Sequence, residues 1–152
     1  MRQQKPTGQE IFKKSKESKL DSDNSFETVR EGKKVKFTPV KMPTINTLED
    51  LEEGQSIGLL EYELETEKLP KGRYNVFIAK VNENWEGYLE TDGQIIKEAH
   101  KVSIKRHYFG DRKIKKPRFK FIEGSWTLCF SVCVVRVLIW CIVSVKICIT
   151  IG

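Results

Sequence analysis

The chain has 152 residues, with 27 Lys or Arg, 21 Asp or Glu and a formal net charge of +6. This length predicts one domain with room for terminal extensions. All four cysteines lie between residues 129 and 148. A small secreted domain held by disulfides usually has its cysteines spread over the fold, so this clustering excludes that class and we expect a reduced, intracellular compartment.

The charge is divided into three blocks along the chain. Residues 1–41 hold 11 Lys or Arg against 6 Asp or Glu, residues 42–100 hold 5 against 13, and residues 101–152 hold 11 against 2. An acidic block therefore separates two basic blocks. Because the basic charge is local, it can act on an anionic partner even though the net charge is moderate.

Residues 1–45 are predicted to form a disordered basic arm. The stretch "KKSKESKLDSDNS" holds a single Leu, so it cannot bury enough apolar surface to offset the entropy of an ordered chain. The stretch "KKVKFTPVKMP" that follows fits either a short edge strand or an extended linker, because Pro39 and Pro43 cannot donate ladder hydrogen bonds.

Residues 46–110 are predicted to form a small, mainly β domain. The connector "NTLEDLEEG" is typical of one helical turn ended by Gly54. Apolar residues then recur with period two, which indicates about five antiparallel strands and no long helix. The run "GRYNVFIAKV" is apolar on both faces, as in a central strand. "NEN" at 82–84 predicts a turn, and Asp92-Gly93 predicts a two-residue hairpin.

The stretch "LPKGRYNVFI", from Leu69 to Ile78, resembles the L-x-x-G-x-Y-x-V strand of immunoglobulin-like and transthyretin-like sandwiches. In those families the Gly makes a turn and the Tyr packs at a corner of a sheet. The resemblance implies that Gly72 and Tyr74 have these roles here. It favours a sandwich and implies no activity.

Residues capable of metal or acid–base chemistry do not form a recognisable site in the sequence. His100 and His107 would point to opposite faces of one straight strand, and both lie beside lysines, so we expect no metal. Cys129 and Cys133 would share a face in either a helix or a strand, and we interpret them as small apolar side chains. The alternating glutamates of residues 61–67 are expected to form a solvated face.

The basic stretch of residues 101–120 is the candidate site. It holds nine Lys or Arg and one acid, with aromatic residues between them, which fits either anionic lipid headgroups or nucleic acid phosphates. The predicted lipid- or phosphate-binding residues are Lys105, Arg106, Arg112, Lys113, Lys115, Lys116, Arg118 and Lys120. Residues 111–124 are expected to be a polybasic linker.

The apolar tail, residues 125–152, has three interpretations. As a helix it is long enough to cross a bilayer, although Arg136 near its centre makes insertion marginal. As strands it is rich in Val, Ile and Thr, but residues 125–151 contain no Gly, Pro, Asn or Asp for the turns. It could also be sequence that was never selected as protein. We favour the membrane helix, with the preceding residues on the cytoplasmic side by the positive-inside rule.

These features predict a non-enzymatic binding or scaffold domain tethered to the cytoplasmic face of a membrane. The alternative is a soluble β-sandwich that binds nucleic acid or an acidic partner through its basic segment. No nucleophile elbow or phosphate-binding glycine loop is present in the sequence. We therefore expect no enzymatic activity and no cofactor, with an anionic membrane surface as the favoured partner.

Overall fold

The computed structural model describes residues 8–10, 19–41, 48–99, 101–106, 119–122, 126–137 and 140–152. Ten strands account for most of them. The strands are β1 (Phe26–Arg30), β2 (Lys33–Pro39), β3 (Gln55–Tyr62), β4 (Gly72–Val81), β5 (Asn84–Thr91), β6 (Gln94–Glu98), β7 (Lys101–Arg106), β8 (Lys120–Ile122), β9 (Thr127–Val137) and β10 (Trp140–Thr150). Two 3₁₀ turns, Ser22–Asn24 and Leu48–Leu51, precede β1 and β3.

Strands β1 to β6 form an antiparallel meander in chain order. Three of its hairpins have two-residue turns, at 31–32, 82–83 and 92–93, and all six turn residues have positive φ. Such turns match the right-handed twist of the flanking strands. The predicted turns at 82–84 and at Asp92-Gly93 are therefore confirmed.

The second sheet has the order β7-β10-β9-β8 and is also antiparallel. Strands β9 and β10 pair along almost their whole length and form its centre, whereas β7 and β8 are the two edges. Two register shifts in β10, one between Cys141 and Val143 and one between Val143 and Ser144, interrupt the pairing. The result is a mainly β protein of two antiparallel sheets, as the sequence predicted.

One hydrophobic core is shared by the two sheets. The Phe37 and Phe130 rings, from β2 and β9, have centroids 4.6 Å apart, and the Phe26 and Phe119 rings are 4.9 Å apart. Rings at these separations pack in tilted geometries that add to the gain from burial. The inner faces of the two sheets therefore pack against each other as in a β-sandwich.

Strand β4 is buried on both faces. Its inward side chains, including Val76 and Ile78, join the shared core, while Phe77 and Ala79 form a second cluster with Tyr88 on the outer side. The segment of residues 8–10 lies on this outer side, where Gln9 bonds to Gly93 and Ile95. The prediction of a doubly apolar central strand is confirmed.

Of the two residues that resemble a sandwich corner, Tyr74 makes the expected contact, whereas Gly72 is the first residue of β4, paired with Tyr62, and makes no turn. The Tyr74 hydroxyl donates a hydrogen bond to the Pro70 carbonyl oxygen at 2.6 Å, four residues upstream. A Cβ on Gly72 would lie 3.3 Å from the Tyr74 ring, so the ring packs closely over the glycine backbone. This contact anchors the start of β4 in the way that a tyrosine corner does.

The prediction of a disordered arm is wrong for part of residues 1–45. Residues 26–39 form β1 and β2, and β2 is an internal strand rather than an edge, with Pro39 at its last position. The prediction was based on the polar stretch before Phe26 and did not recognise the turn at Glu31-Gly32. This turn joins two strands whose apolar residues enter the core. Residues 1–7, 11–18 and 42–47 lie outside the described residues.

The prediction of a carboxy-terminal membrane helix is also wrong, because residues 127–137 and 140–150 are strands β9 and β10. Alternate side chains of these strands fill the inner face, which is the burial pattern of a strand rather than a helix. Within the part of the chain that the structure describes, no helix is long and apolar enough to cross a membrane.

Candidate anion-binding face

The outer face of the second sheet is the candidate site. In β10 the core contains Val145, Ile147 and Ile149. Because successive strand residues point to opposite sides, the residues between them, Lys146 and Cys148, lie on the outer face. The same alternation holds in β7, in β8 and in the first part of β9, up to Val134 and Val135, which both enter the core.

Strand register arranges this outer face in rows. One row runs Lys101, Cys148, Cys129 and Lys120 across all four strands. Directly opposed residues of antiparallel strands share a face, so the two lysines flank the cysteine pair. The neighbouring rows place Ser103 beside Lys146 and Ser131, and Lys105 beside Ser144 and Cys133. We call the exposed lysines 101, 105, 120 and 146, with the serines between them, the basic face.

The spacing of the four lysines follows from sheet geometry. Lys101 and Lys120 stand three strands apart, which is about 14 Å at the usual spacing between strands. Lys101 and Lys105 are four residues apart on β7, which is about 13 Å along the strand. Both separations exceed the screening length of about 8 Å at physiological ionic strength. These two pairs therefore repel weakly, whereas Lys146 is one strand and two residues from both Lys101 and Lys105, about 8 Å away, and repels them more. Together the four lysines give this side of the sheet a positive charge.

The composition of the second sheet reinforces this charge. Its four strands contain six Lys or Arg and no Asp or Glu, whereas the six strands of the first sheet contain seven and five. The two exposed ion pairs given by the structure, Lys34 with Glu27 and Lys80 with Glu52, both involve first-sheet lysines. The second sheet therefore carries a basic surface that its own strands do not neutralise.

Two disulfides brace the same face. Cys129 and Cys148 are directly opposed in β9 and β10, with Cα atoms 4.1 Å apart, and Cys133 bonds to Cys141 with Cα atoms 5.9 Å apart. The interpretation of the cysteines as unpaired apolar side chains is therefore wrong. The shared face of Cys129 and Cys133 was recognised in the sequence, but pairing each with a partner required the register of β10.

The predicted site residues are only partly brought together. Lys105 and Arg106 end β7 and Lys120 begins β8, all three exposed. They lie on opposite edges of the sheet, with β9 and β10 between them. The other predicted residues, Arg112, Lys113, Lys115, Lys116 and Arg118, fall outside the described residues.

Two lysines of the basic face were missed in the sequence. Lys101 lies in the basic stretch but was not selected, and Lys146 lies in the apolar tail that was predicted to be a membrane helix. The period-two pattern "VSVKICI" around Lys146 could have placed it on a strand face opposite the core. Its position between Ser103 and Ser131 could not have been found without the strand order.

Polar groups elsewhere in the described residues serve structural roles. The buried Glu90 carboxylate accepts hydrogen bonds from the Asn75 amide at 2.7 Å and from the Gly93 backbone at 2.6 Å, and so fixes the β5–β6 turn. Burial raises the pKa of the Tyr88 hydroxyl to about 12, with Glu86 and Glu98 adding to the shift. These contacts stabilise the first sheet and form no acid–base pair.

The candidate metal ligands give no site within the described parts of the chain. No group of three His, Cys, Asp or Glu side chains there could hold a metal ion, and His100 and His107 lie outside those parts. Of the alternating glutamates, Glu61 lies on β3, whereas residues 63, 65 and 67 follow the strand and are exposed.

No known protein family, curated protein or solved structure matches this chain. The functional interpretation therefore depends on the residues and their geometry. The feature with the clearest chemical consequence is the basic face, because it concentrates exposed charge of one sign on a sheet whose central strands are joined by disulfides.

Proposed function

We propose that this chain is a non-enzymatic binding domain whose basic face binds a polyanionic partner. The observation that carries the proposal is the second sheet, whose four strands hold six Lys or Arg and no Asp or Glu. A surface of one sign attracts a partner of the opposite sign over a distance of about a Debye length, roughly 8 Å at physiological ionic strength.

The form of the face favours recognition of charge over recognition of shape. Lysine ammonium groups are flexible point charges, and the side chains between them are serines and disulfide-bonded cysteines. Single-stranded nucleic acid is usually held by aromatic side chains on which bases stack. Because the rows of the basic face consist of Lys, Ser and Cys, this geometry favours contact with phosphate or similar groups without base recognition.

The disulfides bear on where such binding takes place. Stable disulfides are typical of oxidising compartments, which disagrees with the cytoplasmic location expected from the sequence. Binding of a polyanion through the basic face does not need the membrane helix. The disulfides favour a location in an oxidising compartment.

The first test measures binding to an immobilised sulfated polysaccharide such as heparin, used only as a polyanion. The double substitution Lys101→Gln and Lys120→Gln removes two charges from one row of the face. We expect elution at clearly lower salt, because each lysine contributes a separate, salt-dependent contact. The matched control is Lys80→Gln in the first sheet, which should elute near the wild type.

Equal elution of the double variant and the wild type would contradict the proposal. Circular dichroism of both variants checks that the sheets persist. Since all three lysines are exposed strand residues, their substitution should leave the fold intact.

A further inference from the structure

We propose that the polyanion is the surface of an anionic lipid bilayer, with Ile122 and Trp126 as the apolar side chains that enter it. This inference rests on the proposed function and adds the chemical class of the partner. Both side chains are exposed, by 41% and 52%, although both are large and apolar. They lie at the end of the sheet that carries the row from Lys101 to Lys120.

Ile122 lies on the basic face itself. In β8, Lys120 and Ile122 are exposed whereas Phe121 between them packs against the core, so the two exposed residues point to the same side. Ile122 is paired with Thr127, directly after Trp126 in the chain. An aliphatic side chain therefore lies two residues beyond Lys120, on the same side of the strand.

Trp126 is held in place at the same end. Its backbone has φ of 47°, and its carbonyl oxygen accepts a hydrogen bond from the Ile151 amide at 2.8 Å. A Cβ on Gly152 would lie 3.0 Å from Trp126 Cβ and Cγ, so the side chain packs on the glycine backbone. The exposed part of the indole is thus presented by an anchored side chain.

This combination distinguishes a bilayer from other polyanions. Tryptophan is favoured at the boundary between headgroups and acyl chains, and attachment strength rises when buried apolar area is added to charge attraction. An indole can also stack on a nucleic acid base, whereas an aliphatic side chain gains most by leaving water for an apolar phase such as the acyl chains. Ile122 is therefore the residue that better separates a bilayer from a single-stranded nucleic acid.

The experiment compares vesicles of phosphatidylcholine alone with vesicles of equal parts phosphatidylcholine and phosphatidylserine, at about 0.15 M salt. The wild type should bind the anionic vesicles and not the neutral ones. Ile122→Ser and Trp126→Ala should each lower the affinity for anionic vesicles roughly three- to ten-fold, because each removes apolar area that would be buried in the bilayer. The matched control is Ile96→Ser on β6, because Ile96 has similar exposure, 44%, but lies in the other sheet. It should bind like the wild type.

The outcomes separate this inference from the proposed function. If Ile122→Ser and Trp126→Ala bind vesicles like the wild type while the Lys101 and Lys120 double variant does not, the inference is overturned and the basic face stands. If the double variant retains its binding to both heparin and vesicles, the proposed function fails. If the wild type binds single-stranded oligonucleotide but not anionic vesicles at this salt, the partner is nucleic acid and the inference is overturned.

Discussion

The two sheets reach stability by different means. The first sheet is a meander closed by two-residue turns, with mixed charge and with strand β4 buried on both faces. The second sheet has basic but no acidic residues in its strands and two disulfides between its central strands. The first sheet is therefore stabilised by tight turns and by burial of β4 on both faces, whereas the central strands of the second sheet are also joined covalently.

The contact between the sheets is where the largest effect is expected. Phe130 is 2% exposed and its ring meets Phe37 across the core. Phe130→Ala should lower the free energy of unfolding by about 3–5 kcal/mol, because the truncated ring leaves a cavity between the sheets. Chemical denaturation measures the loss, with Phe130→Leu as the milder control. A loss below about 1 kcal/mol would mean that the two sheets do not share this core.

The disulfides provide the next largest effect. Replacing Cys129 and Cys148 together by Ala should lower the free energy of unfolding by about 2–4 kcal/mol, because the unfolded chain is no longer constrained across 19 residues. Denaturation of the wild type with and without a reducing agent should give a larger difference than in the double variant. Coincident curves for the oxidised and reduced wild type would show that the second sheet does not depend on its cross-links.

The smallest expected effect concerns a turn of the first sheet. Gly93 has φ of 81°, and a Cβ added there would meet no atom within 4 Å. Gly93→Val should therefore cost about 1 kcal/mol or somewhat more through backbone strain alone. Gly93→Asn, which tolerates this φ better, is the control and should cost less. Equal midpoints for Gly93→Val and the wild type in urea would contradict the turn geometry.

The fold was predictable where local chemistry decides it. Asp92-Gly93 specifies its own turn, and the doubly apolar run of β4 required a central position. The tail was not predictable in the same way. Its apolar run is long enough for a membrane helix, and the same residues also alternate as in a pair of strands. Residues 125–151 contain no Gly or Pro that would mark a turn between strands and so decide between the two structures.

The sequence predicted only part of the candidate site. Lys105, Arg106 and Lys120 were chosen because they lie in one basic stretch of the sequence, yet the structure puts them on opposite edges of a sheet. Lys146, which lies between those edges, comes from a different part of the chain. Nearness along the chain therefore predicted the sign of the charge but not the shape of the surface.

By itself the sequence determined the β character, two of the tight turns and the presence of local basic charge, because these depend on residues close together in the chain. Only the tertiary structure decided that residues 127–150 complete a core, that four cysteines form two cross-strand bonds, and that the lysines share one face. The physical reason is register. The sequence of one strand decides which of its side chains share a face. The pairing with neighbouring strands decides which side chains of different strands lie next to one another.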